Sequence, residues 1–541
     1  YVRDGGNALL FPGKGAGESV TVPGWAGASA TRLEVISDGV GMSAAGRDSV
    51  LLSDLSSTDG PALAGVKAFR FFPLVPATSG EAVIGLEVHA ELATQTKMFC
   101  GCRVVDTTTS RPNSSVCPVC AGMPGTLPVL NRRAVEYGVR VALALECEVN
   151  HTSIFARKNY FYPDLPKGYQ ISQYEQPLAE NGRLVIDTSE GERVIRVRRA
   201  HLEEDTGKLT HITDDGGDCS LVDLNRAGVP LLEIVSEPDM HSVEEVRAYA
   251  TGLRAILRAL GVNSGNMEKG VMRFEANVSI RPAGSDQLGT RVEIKNLNSF
   301  RAMERAIAYE LARQASLLEN GETVSQETLG WDEPNQRTYV QRSKEEAHDY
   351  RYFPEPDIPP LVVEADWIAQ IRQRMPELPR DKTRRLQQQY GLIPADAAIL
   401  TSESDIAAYF EDCAAALKQA SARSAANWIT GELFAHLNST GAEITHIRVS
   451  PQSLAELLDI IEAGGINQNT AKTVLAEMLA SGSSAQQVIS EKGLAQVTDT
   501  GFISDLVKEV LTTNQKELAS YLAGKETLAN WFFGQVMRAA G

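Results

Sequence analysis

Two cysteine pairs, Cys100-Gly-Cys102 and Cys117-Pro-Val-Cys120, hold four of the seven cysteines within 21 residues of one another. Two such knuckles, a short loop apart, suit a tetrahedral all-cysteine zinc site, where thiolates about 2.3 Å from the ion converge from both sides. A closed site of four thiolates leaves no open position, so its role would be structural. The first pair is tighter than usual, and buried free thiols or a redox pair are the other reading. Cys147, Cys219 and Cys413 stand alone and read as core residues.

A second set of residues suits a hard cation. Glu87 and His89, in Gly85-Leu-Glu-Val-His89, fall on one face of a strand because side chains alternate with period two. His201-Leu-Glu-Glu-Asp-Thr-Gly-Lys208 places Glu203, Glu204 and Asp205 beside a histidine and Lys208. Glu233 lies in the apolar run Leu231–Val235, where an unpaired carboxylate would be costly, and Glu275 sits in a strand-like stretch. Acids of this kind hold Mg²⁺, which keeps waters and substrate phosphates among its ligands. Unrelated ion pairs with Arg226, Arg273 and Lys208 are the competing account of any one of them.

Aromatic residues interleave with basic ones in Phe155–Gln173, which carries Arg157, Lys158 and Lys167, in Asp349–Asp357, which carries Arg351, and around Lys295. That composition stacks bases and holds phosphates; aromatics near proline also pack loops onto a core. There is no Gly-x-x-x-x-Gly-Lys-Ser/Thr loop, no Gly-x-Ser-x-Gly elbow, and no Gly/Ser-rich amidase stretch with a lysine. Machinery for hydrolysing glutamine is therefore not visible.

These residues need elements to hold them. Val83, Ile84, Leu86 and Val88 read as a buried strand, and Arg193–Arg199 as a half-buried one. Ser242 and Glu245 open a helix with apolar Val246, Tyr249, Leu253, Leu257 and Leu260, closed by Gly261. A second helix is predicted from Ser299 to Leu318, ending at Gly321. Beyond Asp366 the composition turns helical, with Leu454, Leu457, Leu458 and Ile461 along one face. The expected fold class is α+β: a mixed α/β domain, then helices. With 43% hydrophobic and 22% charged residues the 541-residue chain is an ordinary globular protein of two to four domains. Its net charge of −17 excludes a wholesale basic coat for nucleic acid, though not a local basic groove. No apolar run reaches membrane-spanning length. The chain starts at Tyr1 rather than Met, so its natural N-terminus is expected to lie upstream. Residues 1–79 read as an extension with the character of neither a signal nor a transit peptide. A cytoplasmic protein that meets no membrane is expected.

The chain resembles the GatB/GatE family, the B subunits of aspartyl/glutamyl-tRNA(Asn/Gln) amidotransferases. The shared words are Gly85–His89, Lys158–Gln173, His201–Lys208, Val222–Asp239, Glu293–Phe300 and Asp349–Asp357, in family order from about residue 80 onward. The resemblance implies a cradle-shaped catalytic kinase domain (80–370), a helical domain (371–483) and a small helical YqeY-like tail (484–541) cut short at Gly541. It implies ATP and Mg²⁺ as cofactors with a structural Zn²⁺, and activation of Glu-tRNA(Gln) by γ-phosphorylation. Ammonia from an A-type glutaminase partner would complete transamidation, in a heterotrimer braced by a C-type partner. Asp-tRNA(Asn) is a second candidate substrate, and a non-catalytic tRNA-binding scaffold of the same complex is the alternative role. Glu87, His89 and Glu204 are carried over as magnesium ligands, with Glu203 and Glu233 nearby and Lys208 in the catalytic set. Arg157, Lys158, Lys295 and Arg351 are the expected nucleotide-binding cations, and Cys100, Cys102, Cys117 and Cys120 the zinc ligands. Many relatives have Asp-Ala-Asn where this chain has Glu275-Ala-Asn277, one methylene longer.

Overall fold

The computed structural model describes residues 80–214, 217–343, 350–494 and 500–540, and four short strands, Leu33–Ile36, Gly39–Met42, Asp54–Leu55 and Ala68–Phe69. Apart from those strands the 1–79 extension lies outside the described residues, as does Asp349. The chain divides into two compact units, Tyr1–Pro376 and Glu377–Gly541.

The first unit is built on one sheet of nine strands. In chain order these are β1 (Gly80–Glu91), β2 (Glu148–Val149), β3 (Ala179–Thr188), β4 (Gly191–Glu204) and β5 (Pro230–Ser236). They continue with β6 (Met272–Pro282), β7 (Val292–Leu297), β8 (Glu327–Asp332) and β9 (Arg337–Ser343). Their spatial order is β9-β8-β7-β6-β1-β5-β4-β3-β2, and every pairing is antiparallel except β7 with β8. The first strand in sequence thus lies in the middle, where its side chains have neighbours on both flanks. Alternation sorts them: Leu86, Val88 and Ala90 are buried, while Glu87, His89 and Glu91 are half-buried on the opposite face.

The two helices expected from Ser242 and Ser299 form, and a further one, outside those expectations, precedes them. Helix α1 (Arg132–Ala144) is capped by Asn131, whose side chain accepts from the Arg133 and Ala134 amides. Helix α2 (Val243–Ala259) is capped by Ser242, and its expected apolar positions Val246, Tyr249, Leu253 and Leu257 are fully buried. Gly261 follows at φ +65°, a left-handed position glycine adopts without steric penalty. Helix α3 (Phe300–Glu319) is capped by Ser299 and ends ahead of Gly321. α2 packs on β3 and α3 on β6, so the apolar face of the sheet is covered and the polar face is left for the site.

A smaller three-stranded sheet sets Phe155–Asn159 between Phe353–Pro354 and Tyr169–Gln173. Two of the three aromatic-basic segments are thereby brought together, although 196 residues of sequence separate Arg157 and Phe353 as register partners.

The second unit is helical among its described residues, from Pro379–Tyr390 to Leu528–Ala540. The helix Pro451–Glu462 buries Leu454, Leu457 and Leu458 in a core shared with Phe410, Trp428 and Leu475. A sheet-rich region followed by helices is the α+β class expected.

Candidate functional site

The site is assembled by register. His201 on β4 lies opposite Glu233 on β5, Glu233 opposite His89 on β1, and His89 opposite Arg273 on β6. Residues directly opposite share a face, so these four form one row across four adjacent strands. Two residues along, the same face carries Glu203, and Glu87 opposite Glu275; on β7, Glu293 faces Asn277. All of these except Asn277 line a cavity of about 490 Å³, whose wall also includes Lys158, Lys295, Tyr160, Tyr174, Tyr350 and Tyr352.

Within it, His89 Nε2 lies 3.4 Å from Glu233 Oε2 and 3.8 Å from Glu203 Oε1. His201 Nε2 approaches the same Glu233 oxygen at 3.2 Å. Burial opposes the Glu233 charge, yet the two imidazoles hold its carboxyl well below the usual range. Burial likewise works against a charge on His89, and the Glu233 carboxylate outweighs it, lifting His89 to about 9. Glu203 is pushed up by burial and then by Glu233, and Glu87 by burial and then by Glu233 and Glu275. One acid held down between two held up marks a group of carboxylates too crowded to ionise independently.

One ligand atom each from His89, Glu203 and Glu233 lies within 4.8 Å of the others, and the same is true of Glu87, Glu275 and Glu293. The first trio matches a hard divalent cation: mixed oxygen and imidazole donors, with spacings near those spanned by ligands about 2.1 Å from one ion. In the second trio Lys295 Nζ already sits 2.6 Å from Glu275 and 3.2 Å from Glu293. Its ammonium serves as the cation there, and holds the Glu275 carboxyl down against the effect of burial.

The expected residues part company at Glu204. Side chains alternate along β4, so Glu203 faces the cavity and Glu204 the opposite side. There it pairs with Lys167 Nζ and accepts the Ile171 amide at 3.0 Å, in a second cavity of about 240 Å³ beside Cys100 and Cys120. The structure thus does not bring Glu204 to Glu87 and His89. Arg157 is bound to Glu355 at 2.7 Å and Asp357 at 3.2 Å and lines that second cavity. Lys208 is exposed at the start of the hairpin strand Lys208–Asp214, and Arg351 is exposed at φ +44°; neither lines the first cavity. Of the four expected nucleotide-binding cations, Lys158 and Lys295 line it. His201 and Glu293 join the site without having been singled out; each stands two residues before an expected one, the spacing that shares a strand face.

The four cysteines converge, with Cys120 Sγ 4.0 Å from Cys102 Sγ and 3.9 Å from Cys117 Sγ. A tetrahedron of Zn–S bonds of about 2.3 Å has S–S edges of about 3.8 Å, so the donor set fits zinc and is too wide for a disulfide. Cys120 is drawn down to about 4, first by a hydrogen bond from Cys100, and Lys97 Nζ lies 3.5 Å away. Lys97 is fully buried and donates also to the Ser115 and Leu224 carbonyls, which sets its ammonium beside the Cys120 sulfur. Metal analysis of Cys117→Ser is expected to give well under one zinc per chain, with a fall in the melting temperature of the first unit. A variant free of zinc and unchanged in melting would rule out a structural ion.

Titratable groups gathered this densely around a polar cavity, with pKa values pushed apart, define a catalytic domain. Residues 82–369 match the GatB/GatE catalytic domain and residues 408–541 the GatB domain. A protein of Myxococcus xanthus, named as the B subunit of aspartyl/glutamyl-tRNA(Asn/Gln) amidotransferase, is 52% identical over 465 residues, 86% of this chain and 96% of that protein. Proteins of the same name from Thermodesulfovibrio yellowstonii (52% over 458 residues) and Moorella thermoacetica (51% over 461) cover 85% of this chain and 95% and 96% of their own lengths. The chain belongs to the GatB/GatE family.

Proposed function

We propose that this chain is the activating component of a glutamine-dependent tRNA amidotransferase, a ligase forming carbon–nitrogen bonds. It would use ATP to phosphorylate the γ-carboxylate of Glu-tRNA(Gln), with Asp-tRNA(Asn) as a second substrate, for amidation by ammonia from a partner glutaminase. The convergence of His89, Glu203 and Glu233 in one cavity with Lys158 carries this reading.

A carboxylate nucleophile needs no general base, so catalysis rests on positioning and on neutralising charge. Lys158 supplies a fixed cation: burial disfavours its charge, but Glu203 and nearby groups hold its pKa above the ordinary value. Its ammonium lies 4.8 Å from the centre of the Tyr350 ring, which orients it within the aromatic wall. His89, Glu203 and Glu233 would hold Mg²⁺, whose chemistry there is to neutralise phosphate oxygens. The acyl phosphate product is water-sensitive and calls for a sheltered cavity and a delivered amine. A purely structural role for the acids, as in a tRNA-binding scaffold, fits poorly. Glu233 and Glu275 carry the lowered pKa of ion pairs, but Glu87 and Glu203 are raised by burial and by neighbouring carboxylates, which ion pairing does not produce.

No helix among the described residues is long and apolar enough to cross a membrane, and a cytoplasmic setting beside the A-type glutaminase and the C-type partner suits the reaction. The purified chain is expected to hydrolyse no glutamine, and to turn over ATP in the reconstituted complex only when Glu-tRNA(Gln) is added. Glutamine hydrolysis by the chain alone, followed by ammonia release, would overturn this division of labour.

A further inference from the structure

We propose that His201 is a positioning residue that holds the Glu233 carboxylate in place as a cation ligand; the inference rests on the metal-assisted reading above. His201 is 2% exposed and lies directly across from Glu233 in the β4–β5 register. Its Nε2 is 3.2 Å from Glu233 Oε2, the oxygen that His89 Nε2 approaches at 3.4 Å. A histidine that ligates a cation uses its nitrogen lone pair, and cannot donate a hydrogen bond from that nitrogen at the same time. Once His89 Nε2 turns to an ion, His201 Nε2 still lies 3.2 Å from Glu233 Oε2 and can donate to it.

The other ring nitrogen settles which tautomer does this. His201 Nδ1 is buried and has no hydrogen-bond partner among the described residues. A proton on Nδ1 would leave a buried donor unpaired, and would set the bare Nε2 lone pair against a carboxylate oxygen. With the proton on Nε2, the ring donates to Glu233 and only a weakly demanding acceptor is orphaned. Such outer hydrogen bonds fix the rotamer of a metal-binding carboxylate. An aliphatic residue would fill the space and leave the carboxylate free to swing. His201 therefore serves the site although it is not one of the three converging donors.

The test is Mn²⁺ binding to the full chain, followed by electron paramagnetic resonance; the thiol cluster prefers softer metals and does not compete for this ion. His201→Phe keeps bulk and loses the donor, and is expected to weaken Mn²⁺ binding by roughly 10- to 100-fold. His201→Gln places an amide N–H near the same oxygen and is expected to restore most of the affinity. Thermal unfolding of both variants checks that each is folded. Nitrogen hyperfine coupling to the bound Mn²⁺ should persist in His201→Gln and vanish in His89→Gln. If wild-type chain binds Mn²⁺ and His201→Phe binds it equally well, the positioning role is refuted. Loss of the nitrogen coupling in His201→Gln would also refute it, making His201 a ligand. If the wild-type chain itself binds no Mn²⁺, the metal-assisted reading fails first.

Discussion

Glu233→Gln is expected to lower Glu-tRNA-dependent ATP turnover by roughly 10²- to 10⁴-fold while tRNA binding is retained. The substitution keeps the shape of the side chain and removes its charge. Glu233 is the acid on which both imidazoles converge, and the group that lifts His89 to about 9 against burial. Without it the first trio of donors is reduced to His89 and Glu203, and Glu203 is itself raised by burial. Charge neutralisation by a divalent ion contributes several kcal/mol to phosphoryl transfer. At about 1.4 kcal/mol per tenfold in rate, losing most of it gives the range stated. Steady-state ATP hydrolysis in the reconstituted complex measures the effect, and a gel-shift assay with the same tRNA measures binding. An undiminished rate with bound tRNA would leave the acids structural and return the scaffold reading to first place. The sheet itself should survive, because β5 is held by ladders to β4 and β1 on either side.

What is legible in the sequence follows from the range of the interactions concerned. Glu87 and His89 share a face because period-two alternation is local, and the Cys100–Cys120 cluster is legible because its ligands are near neighbours in sequence. The helix limits at Ser242, Gly261, Ser299 and Gly321 are likewise local, set by a hydroxyl cap or by a glycine in the left-handed region. Glu203 and Glu204 mark where local reasoning stops. One of two adjacent strand acids must face away, and which one is decided by the pairing of His201 with Glu233, 32 positions along the chain. The same holds for Glu293, whose place beside Asn277 is a β6–β7 pairing, and for Arg157, drawn to Glu355 by a strand that composition alone does not reveal. Basic residues in a shared motif need not share a cavity: Lys158 faces the acids while Arg157, its neighbour on the same strand, faces the other side.

The largest expected effect on stability comes from Arg273→Leu, which should destabilise the first unit by about 3–5 kcal/mol, the range for stripping the partner from a buried charge. Arg273 Nη1 lies 2.9 Å from Asp205 Oδ2, and Asp205 is 5% exposed, with Arg226 Nε at 3.6 Å as its other cation. Burial alone would raise the Asp205 carboxyl; the guanidinium groups of Arg273 and Arg226 override it and bring it to about 2. An unfolded aspartate titrates near about 3.9, so its folded value is depressed. That stabilisation is therefore present above about pH 4 and is lost as pH falls toward 2. Glu91, 3.9 Å from Arg273, acts with the opposite sign: burial and then Asp205 push it up to about 8, so its contribution is lost as pH rises through that value. The wild-type melting temperature should thus fall steeply between about pH 4 and pH 2, and Arg273→Leu should lie below it at neutral pH with a shallower acid limb. Calorimetric scans across that interval measure both, taking the transition of the first unit by itself. Parallel acid limbs in the two proteins would show that the Arg273–Asp205 pair is not what sets the Asp205 titration.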